Sequence, residues 1–311
     1  MKQEIVPDLR VWRQFAMLAD ELHFGRAAQR LHMTQPPLTQ AIAQLERQLG
    51  TALFERTRRR VALTPAGEAL LPAVRELLVR AAALPGLARA AAAGETGRVR
   101  LAFVSTVGFD PLPAWVRDFH AESPGVALEL VEATGDVQLD AFARAGIDAG
   151  LMLHSPGQAP AGLLRLPVGR EPLVLALPAR HPLARAEPLA LADVLVEPLV
   201  LFPRRILPSL HDAVQAMYRA QGAVPRVAQE AIQMQTIVNL VGGGIGLAWV
   251  PASVMQFRRA GVVYRAAAQF APLGRRRVAL PACETSLVWP AAPPSPALER
   301  FIAFVRTRVA A

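Results

Sequence analysis

The 311-residue sequence predicts an α/β protein that opens with an all-helical unit. Three observations carry this expectation. The first ninety residues repeat apolar side chains at helical spacing. A long segment after Thr64 keeps a 3.5-residue apolar period, and from Gly97 short apolar strands alternate with helices.

Composition sets the bounds. Net charge is +9, with +4 in the first 96 residues and +5 in the rest, and Lys2 is the sole lysine. An excess spread in this way permits a polyanionic partner and equally a solvated basic surface. No apolar run approaches the roughly 18–20 residues that span a bilayer. The mixed, charged start MKQEIVPDLRVWRQF is unlike a signal peptide, so a cytoplasmic protein without a membrane partner is expected. The single cysteine, Cys283, excludes an intrachain disulfide framework and a multi-cysteine metal site; a buried, unreactive thiol is expected.

Residues 9–22 place Leu9, Trp12, Phe15, Ala16, Leu18, Ala19 and Leu22 close to helical spacing. GRAAQRLHMTQ reads as a short helix, whose Ala27, Ala28 and Leu31 can pack closely, followed by a turn at residues 32–34. Then comes TQPPLTQAIAQLE. Proline costs least in a helix's first turn, where backbone N–H groups have no internal partner, so a helix is expected to begin at or beside Pro36 and Pro37. Thr34 or Gln35 supplies nearby capping. Leu38, Ile42, Leu45 and Leu49 share one narrow face at i, i+4, i+7 and i+11. Opposite them lie Pro36, Thr39, Gln40, Ala43, Gln44 and Arg47, with amides able to pair with base edges and Arg47 suited to a phosphate or guanine. Taken alone, that face reads equally as plain solvated surface.

Context favours the first reading. Two short helices joined by a tight turn describe a helix-turn-helix. In ALFERTRRRVALTPAG, short apolar segments at residues 53–54 and 61–63 bracket a basic tip, the pattern of a two-stranded wing. Its Arg56, Arg58, Arg59 and Arg60 can grip phosphate or enter a minor groove.

The run FGRAAQRLHMTQPPLTQAIAQLERQLGTALFERTRRRVALTPAGEALL resembles the winged helix-turn-helix of LysR-type transcriptional regulators. Helix spacing, the Gln-Pro-Pro entry, the LFERT strand and the LTPAG exit all coincide. The resemblance implies double-stranded operator DNA as partner. Gln35, Pro36, Thr39 and Gln40 would approach bases, Pro37, Gln44 and Arg47 share their surface, and the wing arginines hold the backbone. Members commonly carry Ser-Arg where this chain has Thr39-Gln40, so the usual half-site preference is not carried over.

After Thr64, a natural N-cap with Pro65 at the first helical position, a long helix is expected to about residue 93. Leu70, Val74, Leu77, Ala81, Leu84, Ala88 and Ala91 alternate by four and three, a heptad seam. Pro72 and Pro85 fall outside it and are expected to kink the helix. Apolar stripes often serve a chain's own core, but a period held over three heptads favours pairing with a second chain. The resemblance implies the same: a linker helix that dimerises, and tetramers beyond that.

The remaining two-thirds reads as strand VRLAFVS, helix LPAWVRDFHAESPG, strand VALELVEAT, then helix and strand in VQLDAFARAGIDAGLML, which predicts a parallel sheet with covering helices. A second set follows in PLVLALPARHPLA, LVLFPRR, SLHDAVQAMYRAQG and IQMQTIVNLVGGGIGLAWVP, and TSLVWPAAPPSPALERFIAFVRTRV supplies a last strand and helix. The resemblance adds a two-lobed effector domain like type II periplasmic binding proteins. It divides the chain into a winged helix-turn-helix (1–64), a linker helix (65–94) and an effector domain (95–311). Lobe I takes about 97–167 and 271–311, lobe II about 168–270.

Ligands of such sheets sit beyond strand carboxyl ends, at helix N-termini. Ser105, Thr106, Thr134, Gly135, Phe202, Arg204, Ser209, Gln233 and Met234 occupy such turns, with Arg205 beside Arg204. Hydroxyls, free N–H groups and arginine favour a small anion such as a carboxylate, with Phe202 and Met234 suiting an apolar body. Each hydroxyl singly reads as well as a helix cap.

Other signals fail. GGGIG at residues 242–246 lacks the Lys-Ser/Thr of a phosphate loop and reads as a helix stop. The six histidines show no metal-ligand spacing, GRRRV at residues 274–278 reads as an exposed turn, and no catalytic constellation, metal site or cofactor is expected. The expected function is a ligand-responsive DNA-binding regulator. The alternative is a cytoplasmic solute-binding receptor without a DNA role.

Overall fold

The computed structural model describes residues 6–57, 60–272 and 278–309. Its contacts divide into two compact units, Met1–Arg89 and Ala90–Ala311.

The first unit begins with α1 (Leu9–Glu21), α2 (Phe24–Arg30) and α3 (Gln35–Leu49). The Asp8 carboxylate caps α1 by accepting from the Arg10 N–H at 2.8 Å, and Leu22, in left-handed conformation at φ 47°, ends it. The proline pair lies inside the first turn of α3, and Gly50 at φ 67° stops that helix. Leu38, Ile42 and Leu45 are fully buried with Phe15, Leu18 and Ala27. Leu49, expected on the same face, is exposed, because it sits in the last turn of the helix.

Next, β1 (Phe54–Arg56) and β2 (Val61–Leu63) pair antiparallel, with Phe54 opposite Leu63. The Phe54 ring packs 5.5 Å from that of Phe15. Thr64 caps α4 (Pro65–Ala92): its hydroxyl accepts from the Gly67 N–H at 3.1 Å and donates to the Ala52 carbonyl at 2.7 Å. Only glycine fits at position 67, where a Cβ would stand 2.4 Å from the Leu53 carbonyl oxygen.

Helix α4 continues through both Pro72 and Pro85. Its apolar seam divides in two. Leu70 and Val74 pack into the unit's own core with Phe15 and Leu45, so these first two positions serve the chain that carries them. Leu77 and Leu84 are 42% and 61% exposed, Ala88 and Ala91 are exposed, and Ala81 is half-buried.

The second unit holds β3 (Gly97–Phe103), α5 (Leu112–Glu122), β4 (Val126–Glu132), α6 (Gly135–Ala143), β5 (Ala149–His154), β6 (Leu163–Pro178), α7 (Leu191–Leu195) and β7 (Pro198–Leu201). It continues with α8 (Pro208–Ala220), β8 (Arg226–Glu230), α9 (Met234–Gly242), β9 (Ala248–Pro251), β10 (Val262–Arg265), β11 (Ala282–Pro290) and α10 (Pro296–Val309). Strands β4, β3 and β5 are parallel neighbours, as the alternation predicts, and β11 joins β5 antiparallel. Two apolar cores result. One gathers Leu101, Trp115, Phe119, Leu151, Leu287 and Phe301; the other gathers Leu175, Val200, Val214, Tyr218, Ile237 and Trp249.

The long strand β6 links them. Up to Pro172 it pairs with β11, and from Leu173 it pairs with β9 and then β10. Helix α10 returns to the first core, its Phe301 ring 5.1 Å from Phe119 in edge contact. The GGGIG segment serves backbone geometry: α9 ends at Gly242, Gly244 sits at φ 82°, and a Cβ on Gly246 would stand 2.5 Å from the Pro198 carbonyl. Of GRRRV, residues 274–277 lie outside the described residues.

Candidate nucleic-acid interface and ligand cleft

On α3 the buried leucine face leaves Gln35, Pro36, Pro37, Gln40, Gln44 and Arg47 exposed and Thr39 half-buried. The Thr39 hydroxyl donates to the Gln35 carbonyl at 3.1 Å, so it turns a methyl group and oxygen lone pairs outward. A groove joins the start of α3 to the wing, lined by His23, Phe24, Gly25, Arg26, Gln35, Thr57, Arg60 and Val61. The wing loop is closed at its base by Thr57, whose N–H donates to the Arg60 carbonyl at 2.9 Å and whose hydroxyl accepts from the Arg60 N–H at 3.0 Å. Arg58 and Arg59 lie outside the described residues.

Arg56 is engaged elsewhere. Its guanidinium lies 2.5 Å from the Glu46 carboxylate and 5.2 Å from the centre of the Phe24 ring. Glu46 also accepts from the N–H groups of Leu53 at 2.9 Å and Phe54 at 3.1 Å. One carboxylate on α3 thus holds both the backbone and the arginine of β1. The Arg56 guanidinium, expected at a phosphate, is thus paired within the unit while its side chain stays 32% exposed.

In the second unit one cleft lies between the two cores. Ser105, Thr106, Thr134, Gly135, Gln233 and Met234 line it, brought together from three chain-distant turns. Val104, Ala133, Leu153, Ile206, Leu207 and Ile232 complete its wall. The starts of α6, α8 and α9 face it, and the Thr106 hydroxyl, 4% exposed, has no hydrogen-bond partner there. No cationic side chain is among the lining residues. The cavity volume is about 30 Å³, room for two or three waters.

Three expected ligand residues stand apart from this cleft. Phe202, just past the end of β7, is fully buried in the second core, in edge contact with the His211 ring at 6.4 Å. Arg204 makes a two-pronged pair with Asp212 at 2.7 and 2.8 Å, which holds the Asp212 carboxyl below its ordinary range. The Ser209 hydroxyl accepts from the Ser155 N–H at 3.0 Å, joining the two cores rather than facing the cavity. Arg205 likewise reaches across, 3.0 Å from Asp136, which itself accepts from the Thr134 hydroxyl.

Residues 9–68 match the model of the bacterial regulatory helix-turn-helix protein, lysR family, and residues 92–310 match the LysR substrate binding domain. The chain belongs to the LysR family of transcriptional regulators. This LysR regulator is 44% identical over 303 residues to the HTH-type transcriptional regulator IlvR of Caulobacter vibrioides, covering 96% of this chain and 97% of that one. To AlsR of Bacillus subtilis it is 38% identical, covering 83% and 85%. The crystal structure of full-length CbnR complexed with its target DNA superposes with a TM-score of 0.76 at 27% identity, over 97% of this chain and all of that one. The family consists of DNA-binding regulators with an effector-binding domain, not enzymes.

Sequence reasoning about this LysR regulator missed Glu46, Glu21 and His23. Glu21 holds Arg26 at 3.1 Å and Arg30 at 2.7 Å, and the His23 ring caps α2 by accepting from the Arg26 N–H at 3.2 Å. Only the acid in LERQLGTALFERT, close ahead of the wing strand, carried a legible signal. No described helix is long and apolar enough to cross a membrane, and no metal-holding cluster occurs among the described residues.

Proposed function

We propose that this regulator, in the cytoplasm, binds a two-fold operator duplex through α3 and the wing and senses a small carboxylate between its two α/β lobes. Gln35, Pro36, Thr39 and Gln40 approach base edges, with Pro37 and Gln44 beside them. Arg47 and Arg60, together with Arg58 and Arg59, meet phosphates. The observation that carries this reading is the opposition of faces on α3: fully buried Leu38, Ile42 and Leu45 turn Gln40 outward, while the wing's Arg60 shares a groove with Gln35. The exposed part of the α4 seam, Leu77 to Ala91, pairs with a second copy and sets half-site spacing, with tetramers built from such dimers.

In the cleft, the starts of α6, α8 and α9 supply N–H groups and partial positive charge for a carboxylate, and the Thr106 hydroxyl supplies a hydrogen bond. Ile206, Leu207, Ile232 and Met234 suit an aliphatic body. A cavity of about 30 Å³ is too small for such a molecule, so the ligand binds a state with the lobes further apart and biases the protein toward it.

Sequencing genomic fragments retained by the purified protein tests the reading, with Gln40→Ala beside it. Fragments sharing a two-fold motif are expected. The variant should lose about 1–3 kcal/mol on that motif and nothing on random duplex. Retention without sequence preference, or equal loss on both duplexes, would refute it.

A further inference from the structure

We infer that Arg10, Arg13 and Arg30, with the Gln14 amide, form a second phosphate-binding surface that takes the DNA strand at the far end of α2 from the wing groove. A concavity beside the start of α3 is lined by these residues and by the turn containing His32 and Met33. Arg10 and Arg13 lie one turn apart on α1, both exposed, and among the described residues neither side chain forms an ion pair. Arg30 leans on Glu21 at 2.7 Å but keeps a 62% exposed side chain.

A second observation points into the same concavity. Gln14 is 5% exposed, its Nε2 has only the Met33 sulfur at 3.6 Å, and its Oε1 has no partner. The two ends of an amide are interchangeable by rotation, so either one can be the unpaired end beside the concavity that Gln14 lines.

The placement of the concavity selects duplex DNA as the source of the phosphate. The wing groove uses the first residues of α2, and this concavity uses its last, about 9 Å further along at 1.5 Å per residue. Helix α3 starts between them: Met33 lines one concavity and Gln35 the other. A major groove about 12 Å wide presents a phosphate strand on each side of an inserted helix. The two concavities lie at opposite ends of α2 with the start of α3 between them, so each would meet one strand. The inference rests on the proposed reading of α3 as the inserted helix.

The test titrates the full chain with a fluorescein-labelled random-sequence duplex across a sodium chloride series. The Arg10→Ala/Arg13→Ala variant should bind more weakly, with the slope of log K against log salt reduced by about 2 per bound subunit, at roughly 0.9 for each phosphate no longer neutralised. The Arg10→Lys/Arg13→Lys variant should keep the parental slope, and thermal melting of both shows that the fold persists. An unchanged slope in the folded alanine variant overturns the inference, whether or not affinity falls. Failure of the unmodified protein to bind any duplex overturns the reading of α3 instead.

Discussion

The Glu46 carboxylate on α3 lies 2.5 Å from the Arg56 guanidinium on β1, in a pair whose side chains are 15% and 32% exposed. Because Glu46 also accepts from two N–H groups at the start of β1, the wing's root is fixed to the helix that carries the reading residues. One side chain thereby ties the helix to both the backbone and the arginine of β1. Losing a charge-assisted hydrogen bond of this kind costs about 1.5–3 kcal/mol.

Arg56→Ala should therefore lower the melting temperature while leaving the salt dependence of DNA binding at its parental slope. Arg60→Ala should do the reverse, keeping stability and reducing the slope by about 1. Melting curves and salt titrations on the two variants decide the matter; a reduced slope for Arg56→Ala would mean that its charge reaches DNA after all.

Asp136 and Arg205 join the two lobes beside the cleft, and Ser155 and Ser209 add a second bond. Asp136 also occupies the hydroxyl of Thr134, one of the cleft-lining residues. Asp136→Ala removes that internal occupant and the cross-lobe pair together. Amide hydrogen exchange at residues 134–138 and 204–210 should rise in the variant. Exchange indistinguishable from the parent would show that the pair does not hold the lobes.

Arg100 and Asp148 brace β3 against the start of β5, with the Arg100 N–H donating to Asp148 at 2.8 Å and the guanidinium 2.6 Å away. Burial is the largest single influence on Asp148 and raises its pKa, but the side-chain and backbone bonds from Arg100 together outweigh it and hold the carboxyl below its ordinary range. A depressed folded pKa contributes stability that is present above the unfolded value, about 3.9, and lost as pH falls through the folded value. Asp148→Asn should melt lower than the parent at pH 7, with the gap narrowing below about pH 4. A gap constant down to the acid limit of folding would assign the loss to packing alone.

Cys283 is fully buried, and burial, aided by the nearby Glu171 charge, pushes its thiol pKa well up. The thiol stays protonated at neutral pH and sealed from reagents. Alkylation should proceed only as fast as the native state opens and become rapid in denaturant. Fast labelling of the native protein would reveal an opening absent from this arrangement.

How much was legible in the sequence follows from range. The α3 face could be read directly because helical spacing is a property of neighbours three and four residues apart: Leu38, Ile42 and Leu45 turned inward at the positions their period demands. Pro36, Pro37 and the Thr64 cap on α4 act within one turn of themselves and were equally open to inspection. Cleft residues such as Ser105, Thr134 and Gln233 follow from a general rule about strand ends, which names a turn but not the direction its side chains take. Phe202, Arg204 and Ser209 follow from the same rule, and their side chains lie apart from this cleft.

What the sequence determined by itself, then, is everything set by local period and turn chemistry: the helices, the strand alternation and the polar face of α3. Tertiary structure alone decided which arginines remain free and which hydroxyls face a cavity. Arg56 and Arg60 are four residues apart with the same chemistry, yet Glu46, ten residues before Arg56, claims one and leaves the other in the groove. How far a charge is neutralised depends on the opposite charges within reach, and reach is a distance in space that chain order does not record.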